Sequence, residues 1–287
     1  MGITKSISSE ELFVDGWKAL DAVQAWRVVY HLDQIQLMRK KRQMACFGKS
    51  VRVILKQCIK SKYKSTLKSL EADALVDIFH DEGLFFHHGF KHFYKESIRV
   101  DGVRLLAPEE DIANVSFEHF KYLDAAFSQV LIDQYKQSDS INSLDKFCAT
   151  LFYDPATGFD RNRVEPLIGK LPLLPFEKAL LFRAYGFIRM NVMGRCPRLF
   201  GTSPSPSYQE ENGAVGEGIP AYAGMTGKNR DDKGNTEPQY TGKMWHDLHF
   251  DLAETQAFSG YEAAGKASVY DVLDYLEKRA SKSKRGK

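Results

Sequence analysis

The stretch HDEGLFFHHGFKHF, His80–Phe93, holds four of the chain's eight histidines, with Asp81 and Glu82 among them. Imidazoles and carboxylates are zinc ligands, and a zinc site needs three or four of them on defined elements at about 2.0–2.3 Å. His88 and His92 are four apart and could share a helix face, but Gly83 and Gly89 interrupt the segment. The aromatic residues between them fit a packed join between a helix and a following hairpin better than a ligand set. No metal and no cofactor is therefore expected, and a metal-dependent enzyme at His80–His92 ranks third among the functional readings. His246 and His249, near Asp247 and Asp251 in WHDLHFDL, stand three apart beside an apolar stripe and lack the HEXXH spacing. The chain has no GxSxG elbow, no phosphate loop ending in GK[ST] and no GxGxxG. Glu109, Glu110 and Asp111 read as a solvated loop, and Asp160, Arg161 and Arg163 as an ion-pair bracket that orders another. No catalytic residue is assigned.

Charge offers a different chemistry. The net charge is only +3, yet Gln34–Leu70 contains eleven Lys or Arg and no Asp or Glu, leaving the remainder net acidic. Arg39, Lys40, Lys41 and Arg42 form one cluster; Lys49, Arg52, Lys56 and Lys60 follow at helical steps. Several cations on one face are what binding to phosphates needs, and RKKR, Gly48 and a cationic helix suggest a helix-turn-helix layout. Nucleic-acid binding through residues 39–68 is the alternative reading; a merely solvated face is the plain one.

These residues need elements to position them. Asp21 and Gln24 make a capping-box pair ahead of a helix through LDAVQAWRVVYHL, a second helix is expected around Gln34–Phe47, and Gly48 is its natural left-handed stop. Val51, Ile54, Leu55, Cys58 and Ile59 then repeat as one buried helical face, and a further helix is expected over Leu70–His80. The period changes at YKESIRVDGVRLLAP, where Asp101-Gly102 between apolar runs predicts a β-hairpin over about 94–106. Ser116 caps a helix striped by Phe117, Phe120, Leu123, Phe127, Val130 and Leu131; a shorter helix follows at Leu144–Tyr153; Pro175 opens a long one that Gly194 and Pro197 end. The fold class is mainly α, a multi-helix domain with one small hairpin and a C-terminal helical pair. The expected domains are a helical core over 1–200, a flexible Gly/Pro/Ser-rich linker over 201–240, and a helical pair with a basic tail over 241–287. Within the linker, GEGIPAYAGMTGKN resembles the translated product of a palindromic repeat scattered through bacterial genomes, so an in-frame insertion is expected there. Four cysteines, none in CxxC spacing, do not suggest a disulfide framework, and no apolar run reaches membrane-spanning length. A reducing cytoplasm is the expected compartment.

Read in order, several segments resemble a family of helix-rich prophage proteins encoded in the tail-assembly region, similar to phage tail assembly chaperones. DGWKALDAVQAWRVV is similar to the family's tryptophan-led first helix. DIANVSFEHFKYLDAAFSQVL resembles its next helix start, SLDKFCATLFYDP its "LD.LvA.LYrP" segment, and GFDRNRVEP its "gD.R..f" loop. ALLFRAYGFIRMNVMGRCPRLF, and WHDLHFDLAETQAFSG with SVYDVLDYLEKRASK, resemble its closing helices on either side of a variable linker. Asp154 stands where the family often has Arg, and the basic region is no mark of the family. The resemblance implies a non-enzymatic protein of phage tail assembly in the bacterial host cytoplasm, possessing no catalytic motif and coating the tape-measure chain until tail-tube subunits replace it. Its oligomeric state is left open. Trp245, Leu248, Leu252, Val272, Leu273 and Leu276 are the expected apolar face for such a partner, with packing onto the chain's own core as the competing reading.

Overall fold

A computed structural model describes residues 13–40, 47–69, 72–80, 89–90, 92–138, 140–200, 226–230, 236–238, 242–255 and 257–283. It is mainly helical, as expected, and it divides into two compact units, residues 1–90 and 91–287.

The first unit contains α1 (Ala22–Lys40), α2 (Phe47–Cys58), α3 (Lys64–Ser69) and α4 (Ala72–Phe79). The capping box forms as read: the Gln24 amide donates to Asp21 Oδ1 at 2.8 Å, and the Asp21 amide to Gln24 Oε1 at 3.0 Å. Two expectations change. The separate helices expected either side of Asp33 are one helix, because no residue between Leu32 and Ile35 breaks the backbone ladder. Gly48 lies inside the first turn of α2 rather than ending a helix, and its φ is not positive. Ala25, Val28, Val29 and Ile35 of α1 are buried, as are Val51, Ile54, Leu55 and Cys58 of α2, and the two helices pack together. A bond between His31 Nδ1 and Ser50 Oγ at 3.1 Å joins the same pair. Phe79 of α4 meets Phe47 edge-on at 6.0 Å.

The second unit opens with the hairpin β1 (Ser97–Val100) and β2 (Val103–Leu106), antiparallel with Val100 opposite Val103. Asp101 and Gly102 both take positive φ, 50° and 82°, the geometry a two-residue turn demands and the reason that dipeptide signals it. Then come α5 (Phe117–Tyr135), α6 (Ser140–Leu151), the short α7 (Val164–Leu167), α8 (Pro175–Arg195) and the short α9 (Pro197–Phe200). Of the segment 201–240 only β3 (Thr226–Arg230) and β4 (Thr236–Pro238), an antiparallel pair, are described; the expectations for the remainder of the linker lie outside the described residues. The unit closes with three helices where a pair was expected, α10 (Gly242–Ala253), α11 (Tyr261–Lys266) and α12 (Val269–Ser283).

The core of this unit is built on α5. Phe127, Phe147, Phe182 and Tyr185 bring α5, α6 and α8 together, with Phe127 stacked on Phe182 at 4.5 Å. Ser116 caps α5 by accepting from the His119 amide at 3.2 Å. The same turn bonds to the start of α12: the Phe117 amide donates to Ala267 O at 2.8 Å and the Val269 amide to Val115 O at 3.1 Å. The division into compact units does not fall at the expected linker. Residues 242–283 belong to the same unit as the hairpin, and Trp245 of α10 packs on Phe117 and Phe120 of α5. The boundary falls instead at Phe90/Lys91.

Candidate functional site

Trp245 is fully buried, its indole Nε1–H donating to Asp124 Oδ2 at 2.7 Å and its ring lying edge-on to Phe120 at 5.1 Å and Phe117 at 6.0 Å. Leu252, Val272, Leu273 and Leu276 are buried as well, and Leu248 is half-buried. These six therefore do not form an exposed face, and their placement agrees with the competing reading, packing onto the chain's own core. Their apolar stripes are spent inside the second unit, and a tryptophan needs a partner for its N–H when buried, which Asp124 supplies.

Asp124 is itself held on its other oxygen by Arg189 Nε, both side chains almost wholly enclosed. Tyr185 lies beside this pair; burial first, and the Asp124 charge second, push its phenol well above the ordinary range. One turn earlier on α5, buried Lys121 donates to His249 Nδ1 at 3.0 Å and to the Tyr261 hydroxyl at 3.1 Å, while His249 Nε2–H donates to Tyr261 O at 2.9 Å. Burial lowers the His249 pKa, and the neighbouring Lys121 cation pushes the same way. His119 Nε2–H donates to Thr150 O at 2.7 Å, and burial holds its imidazole down at about 4. Asp124, Arg189, Lys121, His249 and His119 are each bonded to another element of the fold, and each bond spans at least 31 residues of sequence apart from that of His249 to Tyr261. Chemically this arrangement can order helices; it presents no reacting atom to a cleft. Asp154 and Arg163, paired at 2.6 Å, line a cavity of about 10 Å³, room for about one water. The Arg163 guanidinium holds the Asp154 carboxyl below its usual range, so the bracket expected in GFDRNRVEP forms with Asp154 in place of Asp160, whose side chain instead accepts from the Asn162 amide.

Of the histidine cluster, residues 81–88 lie outside the described residues. His80 stacks on Phe47 at 6.3 Å and His92 sits 4.4 Å from Tyr94. Among the described residues no three His, Cys, Asp or Glu side chains come together as a metal site. Cys58, Cys148 and Cys196 are buried free thiols, all raised by burial, Cys196 to about 11. Among the described residues no helix is long and apolar enough to cross a membrane.

The first unit presents its chemistry outward. Lys49, Arg52 and Lys56 project from the exposed face of α2, spaced by three and four residues, and Lys60 is half-exposed just beyond. Arg39 and Lys40 fall in the last turn of α1, while Lys41 and Arg42, and with them the turn of the suggested helix-turn-helix, lie outside the described residues. A second surface went unread in the sequence. Val23, Tyr30 and Leu37 of α1 are 46%, 47% and 43% exposed, with half-buried Trp26 on the same side. Their spacing of seven residues puts them on one stripe, opposite the face carrying Ala25, Val28, Val29 and Ile35. The signal was present in that repeat, but a helix apolar on two faces reads simply as a buried helix.

No protein-family model, no curated protein and no solved structure matches this chain.

Proposed function

We propose that this chain is a non-enzymatic binding protein of phage tail assembly, a chaperone of the host cytoplasm whose partner is the helical tape-measure chain or the tail-tube subunit. The observation that carries the reading is the exposed stripe Val23–Tyr30–Leu37 on α1, since a helix apolar on the side away from its own core has a surface suited to a second helix. The resemblance of the segments from DGWKALDAVQAWRVV to SVYDVLDYLEKRASK supplies the identity of that helix. The fourteen residue steps from Val23 to Leu37 make a strip about 21 Å long, which at a helix width of about 10 Å is about 200 Å² on each partner, far below the roughly 1,200 Å² of a stable standard interface. One copy therefore holds weakly and lets go, while many copies along one long chain hold by multiplicity. A coat that must later be displaced needs that combination.

The test is isothermal titration of the purified full chain with a phage tape-measure protein and with a tail-tube subunit. Saturable binding to one of them, weakened at least tenfold by Tyr30→Glu with Leu37→Glu while far-UV circular dichroism is unchanged, supports the reading. Absence of binding to both, or binding indifferent to the double substitution, sinks it.

A further inference from the structure

The basic face of the first unit is not used by the α1 stripe. Lys49, Arg52 and Lys56 lie along about 10 Å of α2, all exposed; Lys62 and Lys68 beyond them are exposed and Lys64 is half-exposed. In the second unit Lys95, Lys146, Lys178, Arg163 and Arg189 each pair with a carboxylate. Among the described residues Lys49, Arg52, Lys56, Lys62, Lys64 and Lys68 form no ion pair; only Lys62 has a partner, the Tyr63 ring face 4.8 Å away. Packing like charges together without counter-ions costs free energy through mutual repulsion, so a dense anion offered by a ligand recovers it.

We propose that this face, α2 with the turn and helix after it, is a binding site for the phosphate backbone of duplex nucleic acid. Duplex DNA presents one negative charge per about 1.7 Å of axis, and cations in a row displace its condensed counter-ions. The placement argues against the other polyanions. An anionic membrane surface is held by helices that pair cations with a greasy side sunk into the lipid, and on α2 Val51, Ile54, Leu55 and Cys58 are wholly buried in the protein. A stable acidic protein partner needs large aromatic or aliphatic anchors at the centre of its contact, and between Lys49 and Lys56 this face offers half-buried Val53 and no exposed apolar side chain. What is left is contact without base reading: long side chains, positive charge and one exposed ridge.

The measurement is fluorescence anisotropy of a labelled 25-base-pair duplex titrated with the full chain at 50–200 mM NaCl. Log affinity falls linearly with log salt concentration, and the combined Lys49→Ala, Arg52→Ala, Lys56→Ala protein binds at least tenfold more weakly at 100 mM with a slope shallower by about 2–3. Arg52→Glu alone lowers affinity in the same direction, and Lys146→Ala, which removes an exposed cation of the second unit, leaves it unchanged. The proposal is overturned by absence of binding at 50 mM salt, by a slope the triple substitution does not alter, or by an equal loss with Lys146→Ala, which would mark net charge alone. Tighter binding to phosphatidylserine vesicles, or equal competition by polyglutamate, overturns it in favour of a membrane or an acidic protein.

Discussion

The two units dispose of the same kinds of side chain in opposite ways. In the second, charged and polar groups go inside: Lys121, Asp124, Arg189, His119 and His249 are all buried and each is bonded to a distant helix. In the first, the cations of α2 face solvent without carboxylate partners, and α1 exposes aromatic and aliphatic side chains as well as burying them. Buried polar groups are costly unless fully bonded, and once bonded they tolerate few alternative packings. Exposed charge and exposed apolar stripes contribute little to the fold they sit on. The contrast leaves exposed cationic and apolar surface on the first unit and buried, bonded polar groups in the second.

The sharpest way to break this contrast is Asp124→Ala, which removes the carboxylate from a buried guanidinium and from the Trp245 indole together. The expected cost is about 3–5 kcal/mol, measured by urea unfolding, with amide exchange accelerating in peptides from α5, α8 and α10 and unchanged in those from α2. Acid comes next. His119 titrates at about 4 in the fold and near 6.5 when unfolded, so the unfolded chain binds the extra proton between those values. The stability this histidine contributes is complete above about pH 6.5 and is lost as pH falls toward 4, on the order of 3 kcal/mol in all. The lowered His249 acts with the same sign. Unfolding midpoints measured across pH 4–7 give the slope, and His119→Gln flattens it. Smaller still is the effect of Tyr30→Glu with Leu37→Glu on stability, within about 1 kcal/mol because both positions face solvent, although partner binding falls at least tenfold. Smallest is Lys49→Ala, within about 0.5 kcal/mol by the same urea assay. A surface substitution in the first unit that cost as much as Asp124→Ala would erase the distinction between the units.

What could be read ahead of the structure was local. The Asp21–Gln24 box, the Ser116 cap, Pro175 in the first turn of α8 and the Asp101-Gly102 turn are each settled within four residues, and each is where the sequence puts it. The exposed cations of α2 were legible for the same reason, since one helical period decides which way Lys49, Arg52 and Lys56 point. The destination of Trp245 was not legible, because its partner Asp124 lies 121 residues earlier and nothing local distinguishes a stripe that meets its own core from one that meets another protein. The α1 stripe was missed because an apolar residue on every side of a helix carries no direction.

The bond between Asp124 and Trp245 also sets a timetable. Synthesis at about 5–20 residues per second leaves roughly 6–24 s between the emergence of the two ends of that 121-residue span. During that interval Phe117 and Phe120 wait on the nascent chain without their indole lid, whereas residues 13–80 have already emerged and can close their own core. The smaller unit can thus be finished while the larger one is still sticky.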